Sequence, residues 1–267
     1  MTHRRLSSSI PLAVLVAIGC GGKPPSASAK TEGSMEVAQA PATSAPKASV
    51  PTPAGGTAAI PITAKFAGPA PARDVIKMSA DPVCQQQHPT PFHSEEVVVD
   101  DQGRLKNVFV YVKQGLTGTF PAPATAVTLD QAGCWYYPHI LGIQVNQPFE
   151  IVNSDATLHN VNAKPTLNQP FNIAQPVKGM KAKKAFTKPE VMVKFKCNVH
   201  PWMNAYAGVV DHPFFGVTDE HGSATLSGLP AGTYTLEAWH EKYGTQTQTV
   251  TVAAGETKAV EWTFKAQ

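Results

Sequence analysis

The chain has 267 residues and a formal net charge of +3, with 15% charged and 8% aromatic residues, 24 prolines and 20 glycines. So mild a charge, with no arginine-rich or aromatic-studded basic helix, argues against nucleic acid as a partner. The proline and glycine content suits short strands joined by turns, so an all-β protein is expected.

Arg4 and Arg5 precede an apolar stretch, 10–18, that ends in Gly19 and Cys20. This is the order of a bacterial signal peptide, and the stretch is too short to cross a bilayer as a mature helix. Ala17-Ile18-Gly19-Cys20 resembles a lipobox, which implies cleavage before Cys20 and lipidation of that cysteine; Ala17 stands where leucine is commonest. Residues 1–20 are therefore expected to be a signal peptide, and the mature protein an exported, membrane-anchored lipoprotein facing the periplasm or cell surface. An ordinary secretory signal with a stray cysteine is the alternative. Residues 21–71 are mostly Ala, Pro, Ser, Thr, Gly and Lys, with too few large apolar side chains to offset chain entropy, and are expected to form a disordered tether.

Strands are expected at 60–66, 75–78 and 97–99, then, after a turn at Asp101-Gln102-Gly103, at 107–112. In the last, Val108, Val110 and Val112 alternate with Asn107, Phe109 and Tyr111, the pattern of a strand covered on both faces. Strands at 140–145 and 149–153 flank Asn146-Gln147-Pro148 as a hairpin. The second of them stops just before His159. Residues 191–197 alternate cleanly, which places Val191, Val193, Phe195 and Cys197 on an inner face and lysines outside. A returning strand follows at 208–210. The tail reads as strand and turn at 217–222, turn and strand at 229–236, and a closing hairpin of 247–252 with 258–264 through Ala254-Gly255-Glu256. No segment shows a sustained helical period.

The chemistry gathers in Phe195-Lys196-Cys197-Asn198-Val199-His200-Pro201-Trp202-Met203 and in His159-Asn160-Val161. One thiolate, two imidazoles and a thioether form the donor set of a blue-copper electron-transfer site, with the thioether weak and axial. Thiolate and thioether disfavour magnesium and calcium, and a lone cysteine with a methionine ill suits structural zinc. The bland reading is a buried free cysteine near incidental histidines.

The nine-residue run resembles the ligand loop of the small blue copper proteins, the cupredoxins, closest in its C-x2-H-x2-M spacing to amicyanin, and His159-Asn160-Val161 resembles the first-ligand triplet of plastocyanin and its relatives. The resemblance covers roughly 138–210 and implies a Greek-key β-sandwich holding one type 1 copper. It makes His159, Cys197, His200 and Met203 the ligands and His200, partly exposed, the electron port. It also makes Asn160 the tie between the two ligand loops and sets Trp202 beside them. Val199 departs from the proline often found there. Residues 217–222 with 229–234 resemble a carboxypeptidase regulatory-like, transthyretin-type β-sandwich. Its missing strands are visible only before residue 113. The expected organisation is thus an N-terminal β segment at 72–113, a copper domain at 114–213 and a regulatory-like domain at 214–267, with the copper domain interrupting, or interleaved with, a second sandwich whose halves are 58–113 and 214–267.

With Cys20 assigned to lipid and Cys197 to metal, Cys84 and Cys134 remain for a disulfide, as an oxidising compartment permits. The rival is a second metal site of Cys84, His88, Cys134 and His139, since both Cys–His spacings are workable. Lysines 178, 181, 183, 184, 188, 194 and 196 are read as a solvated face, or as a docking face for an acidic redox partner or anionic lipid. The sequence has none of the paired histidines of a multicopper oxidase, no C-x-x-C-H and no G-x-S-x-G. A monomeric, non-catalytic carrier of single electrons is expected, with copper storage or delivery, or a metal-free scaffold, as alternatives.

Overall fold

The computed structural model describes residues 56–266. The expected signal peptide, the lipidation at Cys20 and most of the expected tether lie outside them. In chain order the elements are β1 (Ala58–Ala67), α1 (Pro82–Gln87), β2 (Phe109–Gln114), β3 (Val127–Ala132), β4 (Trp135–Tyr137), β5 (Ile140–Gln144), β6 (Phe149–Asn153), β7 (His159–Ala163) and β8 (Phe171–Gln175). They continue with β9 (Lys181–Lys184), β10 (Glu190–Lys196), β11 (Asn204–Val210), β12 (Phe215–Val217), β13 (Ser223–Leu229), β14 (Gly232–His240), β15 (Gly244–Val252) and β16 (Val260–Lys265). The fold is all-β apart from the six-residue α1.

The strands form four sheets, ordered β13-β1-β16, β12-β2-β14-β15, β5-β11-β10-β7-β8 and β4-β3-β6-β9. The first two face each other across a core of Ile60, Ile62, Val110, Leu236, Trp262 and Phe264, among others. The other two enclose Leu129, Tyr136, Phe149, Phe186, Phe195 and Cys197. Each pair is a sandwich. The flanking sandwich takes β1 and β2 from before the inserted one and β12–β16 from after it: β1 pairs with β13 and β16, and β2 with β12 and β14.

β2 explains why a strand can be apolar on both faces. Val110 and Val112 enter the flanking core, while Phe109 and Tyr111 point the other way, against Ile140, Val210 and Phe215. That third cluster joins the two sandwiches, and it is close-packed: a Cβ added to Gly142 would lie 2.2 Å from the Phe215 ring, and one at Gly208 2.3 Å from Phe109. Only a residue without a Cβ lets the faces approach so far.

Several expectations are corrected. β1 begins at Ala58, inside the stretch assigned to the tether, because alternate residues Ala58, Ile60, Ile62, Ala64 and Phe66 are all buried. Residues 75–78 and 97–99 form only single bridges, Val75 to His93 and Val99 to Leu105. The expected segment 72–113 divides: Ile76, Met78, Cys84 and Phe92 pack on the inserted core, and Val97 and Val108 on the flanking one. Neither expected hairpin forms. β5 and β6 lie in opposite sheets, linked through Asn146, whose φ of 65° asparagine tolerates better than most residues. β15 pairs instead with β14, and β16 crosses to β1. Alternation marks a strand's two faces but does not name its neighbour.

Candidate metal centre

β10 delivers Cys197 to the inserted core and the chain then folds back on itself. Cys197 N donates to Met203 O at 3.1 Å, Met203 N to His200 O at 3.0 Å, and His200 N to Cys197 Sγ at 3.3 Å. These bonds close residues 197–203 into one tight loop around the sulfur. β7, paired with β10 through Ala163–Phe195 and Asn162–Lys196, opens on His159. Asn160 stitches the two segments together: its Oδ1 accepts from Asn198 N at 2.6 Å and lies 3.5 Å from Cys197 Sγ.

The result is a cluster of donor atoms. His159, Cys197 and His200 are buried and offer ligand atoms all within 4.8 Å of one another. His159 Nδ1 lies 3.0 Å from His200 Nδ1, and Cys197 Sγ 3.9 Å from the latter. Met203 is fully buried in the same core. The Tyr136 hydroxyl, donating to Asn160 O at 2.5 Å, sits beneath it; burial first and the nearby Cys197 second hold its proton on.

Each imidazole is oriented by a carboxylate. His159 Nε2 donates to Asp155 at 2.8 Å and His200 Nε2 to Asp81 at 3.0 Å. Asp155 is fixed in turn by the amides of Gly133 and Cys134, and Asp81 by the amide of Val83 and the Thr157 hydroxyl. Burial works against both charged carboxylates, but the histidine contacts and these hydrogen bonds outweigh it and lower both pKa values. Burial likewise opposes the His159 cation, yet Asp155 and Cys197 raise it above its ordinary value. His200 is pushed down by burial, then further by the charge on His159, despite Asp81. Burial disfavours the Cys197 thiolate, but His159 and the surrounding donors leave its pKa lowered.

This arrangement fits a copper ion. With both Nε2 atoms donating to carboxylates, the two Nδ1 atoms turn their lone pairs toward each other beside a thiol of depressed pKa, and only a positive centre relieves that contact. A soft cation would supply that centre. Among the described residues Cys197 is the free cysteine.

The alternative second site does not form. Cys84 and Cys134 make a disulfide, His88 Nε2 contacts Gly133 O at 2.6 Å, and His139 is bound between Glu241 and Asn204 O. The Trp202 ring lies tilted against His200, 5.0 Å between centroids, and donates to Cys134 O. The exposed port is corrected too: His200 is only 2% exposed, because Asp81 and Cys84, the cap and first turn of α1, lie over its Nε2, the Cys84 sulfur at 3.7 Å. Sequence reasoning missed Asp155, Asp81 and Tyr136. The i,i+4 spacing of Asp155 and His159 and the Asp81-Pro82 helix start were the available signals.

Residues 211–265 match the carboxypeptidase regulatory-like domain. That segment supplies β12 to β16; β1 and β2, which complete its sheets, lie outside the match. No curated protein matches the chain. Among solved structures, a purple cupredoxin from Nitrosopumilus maritimus is similar at 22% identity over 31% of this chain and 97% of its own, with a TM-score of 0.27. A methionine-to-alanine mutant of amicyanin in its Cu(I) form is similar at 20% identity over 38% of this chain and 97% of its own, with a TM-score of 0.29. A copper-containing nitrite reductase from Thermus scotoductus SA-01 is similar at 26% identity over 37% of this chain and 25% of its own, with a TM-score of 0.27.

Proposed function

We propose that the chain is an exported, lipid-anchored carrier of single electrons that holds one type 1 copper through His159, Cys197, His200 and Met203 and catalyses no reaction of its own. The convergence of two carboxylate-oriented imidazoles on a buried cysteine, with Nδ1 atoms 3.0 Å apart, carries this reading. Bound there, copper would supply a one-electron Cu(II)/Cu(I) couple. The protein's part is to hold one geometry for both states. Asp155 and Asp81 fix the ring planes, Asn160 ties the loops, and the apolar wall of Phe149, Phe195 and Met203 excludes water. A rigid donor set keeps reorganisation small when charge changes.

Storage or delivery of copper is the second reading, and burial speaks against it. An incoming ligand must reach the ion, yet His159 and Cys197 are buried and His200 is covered by α1. Optical and paramagnetic spectra of the copper-loaded protein decide the matter. An intense thiolate-to-copper band toward the red end of the visible, bleached reversibly by a reductant and lost in Cys197→Ser, is expected. Weak Cu(II) absorption unchanged by Cys197→Ser overturns the proposal.

A further inference from the structure

Electrons need a way in that does not run through His200, whose outer nitrogen faces Asp81 and the Cys84–Cys134 bridge. We propose that the port is Asn198-Val199, at the end of β10, and that the partner docking there is an acidic redox protein; the inference rests on the copper reading above. Three observations carry it. Val199 is an exposed apolar side chain, 44% accessible, two residues from the buried thiolate. Asn198, also exposed, is joined to Cys197 through a single peptide bond, and its amide shares Asn160 Oδ1 with the sulfur. The lead from sulfur to solvent is therefore a handful of covalent bonds.

The third observation is charge. Lys194 and Lys196 lie on the outer face of β10, Lys194 with its Nζ over the ring of its cross-strand neighbour Tyr206, Lys164 follows Ala163, the partner of Phe195 on β7, and all three are exposed. Asn162, opposite Lys196, reaches Asn198 Oδ1 at 3.1 Å, so the lysine-bearing sheet face runs directly into the port. Residues 127–210 hold eight lysines against Asp130, Glu150, Asp155 and Glu190, and of those acids Asp155 is buried on His159 and Glu150 is paired with Lys181. The α1 side instead has Asp81 at its cap and no lysine or arginine from 82 to 87. A positive rim around one apolar residue steers a negatively charged protein and brings its redox group over the thiolate. An anionic lipid surface would match the charge but neither gives nor takes an electron. In the transfer the partner's centre loses one electron and the copper site gains one, with no bond made or broken and no proton moved.

Two measurements on the full chain test this. Hexacyanochromate(III), an inert paramagnetic anion, is expected to broaden the amide signals of residues 194–199 in the Cu(I) protein and to leave those of 83–87 sharp. Broadening centred on α1 overturns the proposal. In stopped-flow reduction by hexacyanoferrate(II), the rate is expected to fall as salt rises, and to drop about tenfold at low salt in Lys194→Glu/Lys196→Glu. Gln85→Glu/Gln86→Glu, on the exposed face of α1, is expected to change the rate less than twofold. A rate that ignores the lysines, or follows the glutamines, overturns the port while leaving the copper reading intact. A loaded protein with no reducible band overturns both. Binding to phosphatidylserine vesicles that the lysine double variant loses would replace the protein partner by a membrane and overturn the assignment.

Discussion

The flanking sandwich and the inserted one bury apolar cores of the same kind, yet they arrange their buried polar groups differently. In the inserted sandwich, buried polar side chains answer one another: Asp155 holds His159, and Gln175 bonds Gln131, Ile151 O and Met180 O. Among the described residues each sandwich leaves two buried polar atoms without a partner, Asp130 Oδ1 and Gln131 Oε1 in the inserted one and His240 Nε2 and Trp262 Nε1 in the flanking one, but the inserted one's lie outside the His159 cluster. Charge differs as well. The exposed lysines at 164–196 lie on the inserted sandwich, while Glu220, Glu256 and Glu261 belong to the flanking segments. A donor cluster is held in a core by groups that orient its members, and Asp155 and Asp81 do this for the two histidines of the inserted sandwich.

The sharpest test of this division removes a core ring from each side. Trp262→Ala and Phe195→Ala are each expected to cost about 3–5 kcal/mol, since both residues are fully buried. The strands of the inserted sandwich are one continuous run of chain, 127–210, whereas those of the flanking one come from two remote segments. On heating copper-loaded protein, Trp262→Ala is therefore expected to lower the transition seen by far-ultraviolet dichroism more than the loss of the visible band. Phe195→Ala, which stacks on Phe149 in the site's own core, should lower both. Equal loss of the band in the two variants would mean that the sandwiches melt as one.

Removing the bridge comes next. Cys84→Ser with Cys134→Ser opens a link across a separation of 50 residues and is expected to cost about 4 kcal/mol by loop entropy. It also frees α1 from over His200. Denaturant titration should show the lost stability, and imidazole exchange at His200, read by paramagnetic spectroscopy, should quicken. A bridge that serves only the fold would leave that exchange unchanged.

Much of this architecture was legible because alternation is a local property. β2 announced two covered faces and β10 announced an inward Cys197, and side chains two apart share a face whatever the neighbour is. Pairing is not local. β5 with β6 and β15 with β16 read as hairpins because a turn separates them, but each turn carries the chain across a sandwich instead. α1 spans too few residues for a helical period to emerge, and its Asp81 reaches His200 across 119 positions. The cover over His200 was therefore invisible, although His159, Cys197 and His200 drew attention by residue type.

A smaller effect separates the two cores by pH. Burial, then the charges of His139 and Lys242, lower the pKa of His240 from 6.5 to about 4. The unfolded chain thus binds more protons than the folded one between those values, so this contribution is complete above about pH 6.5 and is lost as pH falls toward 4. The loss is on the order of 3 kcal/mol. His240→Phe, which stacks as the imidazole does on Tyr243 and removes an unpartnered nitrogen, is expected to flatten the stability profile over that window. His159, whose pKa is raised, contributes in the opposite sense and is untouched by this substitution, so the difference between the two profiles isolates His240.

The smallest predicted change bears on the seam. A methyl group at 208 or 142 has nowhere to go but into Phe109 or Phe215, and overpacking of this kind costs about 1–3 kcal/mol. In Gly208→Ala the strain falls on the outer face of β11, while its inner face, Ala205, Ala207 and Val209, still packs the site's core. Stability measured by denaturant should drop, yet the visible band and the reduction potential should stay as they are, because neither ligand loop touches the seam. If Gly208→Ala shifts the potential instead, the sheet transmits strain from one sandwich to the donors of the other, and the regulatory-like segment acts on the metal centre rather than merely supporting it.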